Sequence, residues 1–215
     1  MILKNPFNFI NQFFKKIKRQ IKTLYLNSNY YDKKISKIHF DNLFYKPSPH
    51  LLTSIIKYQK KKFNIEDIST ENLWDDKNIT EKDFKRLNSF YWFFSLDLKS
   101  SKEITQSIVL KWIEKNFQYN YKSWEFDLTS KRIIAWLSSH NLTYENIYED
   151  YKKKFNWIIQ KQANHLMNEI NKSKLIDDKI IGCAAIILVG LSYQDKKNYL
   201  AFGLNLLKRI SNLTL

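Results

Sequence analysis

Apolar positions recur at helical spacing through most of the chain. In residues 6–25, Ile10, Phe13, Phe14, Ile17, Ile21 and Leu24 fall on one face, with Lys15, Lys16, Lys18, Arg19 and Lys22 elsewhere. This pattern predicts an amphipathic helix. Two placements fit it: packing on the domain with a solvated basic face, or lying on a membrane surface. The pattern lapses over residues 26–80, which are rich in Asn, Tyr and Lys and interrupted by Pro47 and Pro49. That stretch reads as an extended wrapping segment with short helical pieces.

Regularity returns at Thr80. Thr80-x-x-Asp83 predicts a helix start, and Phe84, Leu87, Tyr91 and Phe94 continue at helical spacing. Ser100-x-x-Glu103 reads as a capping box opening a helix with Ile104, Ile108, Trp112 and Ile113 inward. Ser130 is placed to cap a helix carrying Ile133, Ile134, Trp136 and Leu137. The next helix is predicted over 146–170, with Phe155, Ile158, Ile159, Leu166 and Ile170 inward. Asp177 and Asp178 start a nearly all-apolar helix over 180–191, the kind expected inside an assembly. A last helix over 196–210 is amphipathic through Tyr199, Leu200, Leu204, Leu207 and Ile210.

Composition supports the same reading. Three glycines and three prolines in 215 residues are too few for the turns of a β-sandwich or a Gly-rich phosphate loop. The expected fold class is all-α, with antiparallel helical hairpins stacked as in an incomplete α/α toroid or an α-solenoid. No fixed sequence period is present, which disfavours common solenoid repeats. The organisation expected is a basic helix and wrapping segment over 1–79 and a helical domain over 80–215.

Charge divides the chain earlier, near residue 62. Residues 1–62 hold 14 Lys/Arg and two acids, Asp32 and Asp41, so most of the net +15 lies there. Such a surface attracts acidic lipid, anionic polysaccharide or nucleic acid. Nucleic acid is disfavoured, because no helix-turn-helix, RRM-like or zinc pattern occurs. The Lys, Asn, Ile, Phe and Tyr richness also matches the bias of an AT-rich genome. The single Cys183 excludes an internal disulfide and reads as a small buried side chain. His39 and His50 show no metal spacing, and no cofactor is implied. The N-terminus lacks a secretory pattern, and the longest apolar run falls short of the roughly 20 residues of a membrane span. A cytoplasmic location, peripheral to a membrane if the first helix lies on one, is the expectation.

The segment Trp124–Leu137, WEFDLTSKRIIAWL, groups two Trp rings and a guanidinium near one helix start. Trp124, Arg132, Trp136 and His140 are the candidate substrate-binding residues. Arg132 either pairs with Asp127 or Glu125 to fix the helix start or clamps a sugar carboxylate. Trp124 and Trp136 are core residues or sugar platforms. His140, at a helix end, is a capping or exposed residue or an acid/base group, and His165 is similar.

These residues carry a family resemblance. Leu87-Asn88-Ser89-Phe90-Tyr91-Trp92-Phe93 is similar to a Leu-His-Ser-Phe-x-Trp-Leu segment of heparinase II/III-like proteins of the alphaproteobacterial type, with Asn88 in the His place. Trp112-Ile113, Trp124–Thr129 and Lys131–Leu137 continue the likeness. Gln162-Ala163 with Leu166, Ala184–Leu191, and the Gly203–Leu207 stretch extend it over residues 85–215. The resemblance implies the helical toroid that precedes a β-sandwich domain in enzymes cleaving uronic-acid polysaccharides by β-elimination. There a base removes the proton α to the carboxyl, an Asn or Arg neutralises the carboxylate, and an acid assists the leaving oxygen. The family's catalytic Tyr and His lie beyond the helices of this chain. The neutralising Asn is expected near the start of the helix at 180–191, where Asp177-Asp178-Lys179 stands instead. Asn164-His165 falls earlier, inside the preceding helix. The resemblance therefore implies a truncated or split member, inactive alone, whose partners are an anionic polysaccharide and a separate β-sandwich chain or domain.

Overall fold

The computed structural model describes residues 6–37, 42–47, 73–74, 79–97, 99–145, 148–193 and 198–214. Side chains are described from Ile10 to Asn212 within these ranges. His39, Pro49 and His50 lie outside them, as does most of the predicted wrapping segment. The described residues are mostly helical, with no strand.

The first helix, α1 (Pro6–Leu26), turns through Ser28 into the short α2 (Asn29–Ile35). Ser28 Oγ accepts the Tyr31 N–H at 3.2 Å, a side-chain N-cap. Helix α3 (Glu81–Ser89) starts as predicted, with Thr80 Oγ1 accepting the Asp83 N–H at 3.1 Å. It stops earlier than the spacing of Tyr91 and Phe94 implied. Phe90 adopts a left-handed backbone (φ 57°), and residues Tyr91–Ser95 form a 3-10 turn. Burial explains the break. The turn drives Phe90 into the centre of an aromatic cluster, 5.0 Å from the Trp136 ring and 5.1 Å from Phe93.

Two caps fall elsewhere than the sequence pattern indicated. Helix α4 (Lys102–Lys115) is capped by Ser101, which accepts the Ile104 N–H at 3.3 Å and donates to Glu103. Ser100 is buried one residue earlier. Helix α5 (Phe126–Ser138) begins a turn before Ser130. Asp127 lies in its first turn, where a carboxylate suits the helix dipole, and pairs with Lys131 at 2.7 Å. The Ser130 hydroxyl donates back to the Phe126 carbonyl at 2.8 Å.

A single turn, α6 (His140–Thr143), leads to the long α7 (Glu149–Glu169), which closes in a 3-10 turn over Ile170–Lys172. Phe155, Ile158, Ile159, Leu166 and Ile170 are all fully buried, as predicted. Trp136 of α5 stacks on Phe155 of α7, while Arg132 bonds Gln162, so α5 and α7 run antiparallel. The last pair is α8 (Ile176–Ser192) and α9 (Tyr199–Thr214). Helix α8 packs on α5, α7 and α9.

The α8–α9 pair is close because glycine permits it. A Cβ on Gly190 would sit 2.5 Å from the Leu200 backbone nitrogen, and one on Gly203 2.6 Å from Ile187 Cγ1. Pairing 190 with 200 and 203 with 187 is an antiparallel register. One expectation fails here. Helix α8 is not enclosed: Ile180 is 44% and Leu191 43% exposed, because no described element covers that side. On α9, Leu204 and Leu207 are likewise exposed, while Tyr199 and Ile210 are buried.

Gly190→Ala should lower unfolding free energy by about 1–3 kcal/mol, since overpacking against backbone outweighs the gain in helix propensity. Urea unfolding followed by circular dichroism measures this. The Cβ of an alanine at exposed Ala184 already projects into the open side, so Ala184→Ser serves as a neutral control.

Candidate functional site

Arg132 projects from the middle of α5 into the core and is fully buried. Its Nη1 donates to the carbonyls of Asn88 (2.9 Å) and Ser123 (3.0 Å). Nε donates to Gln162 Oε1 at 3.2 Å and Nη2 to Thr129 Oγ1 at 3.3 Å. The guanidinium lies 3.9 Å from the centre of the Trp112 ring. Every one of these partners is neutral. Burial pulls the Arg132 pKa well below its usual value. Neither expected carboxylate partner is used: Asp127 takes Lys131, and Glu125 takes Lys85 at 3.4 Å.

The other candidates do not join Arg132 in a groove. Trp124 and Trp136 are fully buried, and Trp124 Nε1 donates to the Asn116 carbonyl at 3.0 Å. In this structure they build the core and offer no face to a sugar. Helix α5 packs against α3, α7 and α8. His140 sits past the end of α5, 8% exposed, with Nε2 3.6 Å from Glu145. Burial lowers its pKa, against the pull of Glu145. Glu145 also receives Lys46 (3.7 Å) and Lys102 (3.5 Å), so it ties the segment at 42–47 to the start of α4.

Asn88, which stands in the family's His place, has a structural role. Its Oδ1 accepts the Trp112 indole N–H at 2.8 Å, and its own amide donates to the Phe84 carbonyl. One residue thus supports the ring beneath Arg132 with its side chain and Arg132 itself with its backbone.

A second buried polar group fixes α2 to α7. The Tyr31 hydroxyl hydrogen-bonds His165 Nδ1 at 2.7 Å, with the ring tautomer setting which of the two donates. Lys161, fully buried, pairs with Asp32 at 2.6 Å and donates to the Phe117 carbonyl. Asn164 donates to the Ile35 carbonyl at 2.6 Å and accepts from the Tyr199 hydroxyl at 2.9 Å. Burial pushes His165 down to about 4, with Glu169 acting in the opposite sense. Sequence reasoning missed this group, because its α2 and α7 members lie 129 to 134 residues apart.

Open grooves occur among the described residues. One, of about 580 Å³, runs along α8 between Tyr91, Ile134, Ile181, Leu188 and Leu207. Another, of about 720 Å³, lies between Glu103, Gln106, Tyr148 and Lys152. Neither is lined by histidine or arginine. The phenol on the first, Tyr91, is pushed up by burial and by Asp127, the reverse of what a general base needs. Among the described residues no cluster of His, Cys, Asp and Glu could hold a metal ion.

No protein-family model, curated protein or solved structure matches this chain.

Two outcomes follow from these buried groups. Arg132→Met leaves the carbonyls of Asn88 and Ser123 without their donor, and should cost about 3–5 kcal/mol in urea unfolding. Arg132→Lys should rescue little of it, because an ammonium cannot reproduce the planar fork. The second concerns pH. The folded His165 value of about 4 lies below the ordinary 6.5, so its contribution to stability is complete above 6.5. It is lost as pH falls toward 4. His165→Asn, which keeps an acceptor for Tyr31, should flatten the stability-versus-pH curve between these values.

Proposed function

We propose that this chain is the helical module of a heparinase II/III-like, polysaccharide-lyase-type protein, arranged as an incomplete α/α toroid and inactive alone. The uncovered apolar side of α8 and α9 carries the reading. Ile180, Leu191, Leu204 and Leu207 are all more than a third exposed there. A helical pair with this much apolar surface fits a second unit laid over it. The resemblance supplies the identity of that unit, a β-sandwich bearing the catalytic Tyr and His. The motif Trp124–Leu137 fits the same reading as a core segment that organises the array.

The substrate class follows from the resemblance: a uronic-acid polysaccharide cleaved by β-elimination in the complete assembly.

The isolated 215 residues should release no unsaturated uronate ends from alginate or heparan-type substrates, followed by ultraviolet absorbance. Turnover by the chain alone would put the catalytic groups within it and overturn the proposal. The downstream reading frame gives the second test. A β-rich segment carrying Tyr and His should co-purify with this chain, and Leu188→Asp with Leu191→Asp should release it. Absence of such a segment would leave the apolar side without this partner and defeat the reading.

A further inference from the structure

We infer that α1 is an interfacial helix that binds membranes rich in anionic lipid. Among the described residues, the helix is held to the body only near its C-terminal end. There Leu26 is buried, the Tyr25 ring lies 5.2 Å from Tyr31, and Lys22 pairs with Glu169 at 2.7 Å. The rest of its apolar stripe faces outward. Ile10, Phe13, Phe14, Ile21 and Leu24 are each more than half exposed, and only Ile17 is half-buried. Packing on the domain, the simplest reading of the sequence pattern, therefore does not account for the stripe.

Charge identifies the occupant. Helix α1 contains no acidic residue, and Lys15, Lys16, Lys18 and Arg19 are exposed beside the stripe. No described ion pair neutralises these four, whereas Lys22 is committed to Glu169. A row of Phe, Ile and Leu flanked by free cations matches the boundary between acyl chains and acidic headgroups. The rings enter the boundary while the ammonium groups stay at headgroup level. A purely apolar protein partner would leave those cations without a counterpart. No described helix, α1 included, is long and apolar enough to cross a membrane. This inference is independent of the polysaccharide-lyase reading, because the stripe and cations of α1 lie outside residues 85–215 of the resemblance.

Co-sedimentation of the full chain with phosphatidylcholine vesicles, with and without phosphatidylserine, tests it. Binding should require phosphatidylserine and weaken with added salt. Lys15→Gln with Lys16→Gln and Lys18→Gln should weaken it on the order of a hundredfold. Phe13→Ser with Phe14→Ser should weaken it by about tenfold or more while keeping all the charges. All these side chains are exposed, so circular dichroism and urea unfolding of both variants should match the parent outside α1. Equal binding to vesicles with and without phosphatidylserine overturns the inference, as does binding unchanged by the Phe substitutions. Binding to DNA in place of vesicles overturns it in favour of nucleic acid. A dimer in sedimentation velocity that the Phe substitutions dissociate, with no vesicle binding, overturns it in favour of a second copy.

Discussion

A guanidinium without a counter-charge sits at the centre of this fold. Arg132 reaches from α5 to the end of α3, to the loop before α5 and to α7, and its flat face covers Trp112 of α4. Four parts of the chain are therefore fixed by one side chain. The carbonyls it meets have lost their water and depend on it. A hydrocarbon side chain of the same volume would fill the space but would leave those oxygens unsatisfied. Aromatic packing builds outward from the same point, through Trp112, Phe90 and Trp136, whose rings meet edge to face.

Much of the helical framework could be read from spacing, because burial of one face imposes a period that survives in the sequence. Phe155, Ile158, Ile159 and Leu166 show this on α7. Some misreadings were decided within one helical turn and others by partners distant in the chain. Ser130 has the chemistry of a cap, yet α5 begins earlier around Asp127 and Lys131. Tyr91 and Phe94 keep helical spacing with α3, yet the aromatic cluster turns the chain at Phe90. Helix α8 is apolar on all sides, but periodicity does not say which neighbours exist to cover it.

The candidate site was legible as a cluster and not as a role. Trp124, Arg132 and Trp136 do gather around one region, but they gather inward. Residue types that bind sugars are the same types that make a rigid, polar-centred core, and only burial separates the two uses. Arg132 and Trp112 form a stacked pair of the kind that could hold a ligand, yet the pair is sealed. What the sequence held in plain view was α1, whose stripe and cations were both apparent. What it lacked was the orientation of that stripe.

The seat of the N-terminal arm has a bearing on timing. Tyr31 finds its partner His165 134 residues later in the chain. Ribosomes add about 5–20 residues per second, so the arm leaves the ribosome on the order of ten seconds before its seat has been made. During that interval α1 lacks its seat on α7, and its Phe and Ile side chains are free to meet the nearest acidic surface. The rest of the protein would then fold beside that surface, with the order of synthesis setting the order of assembly.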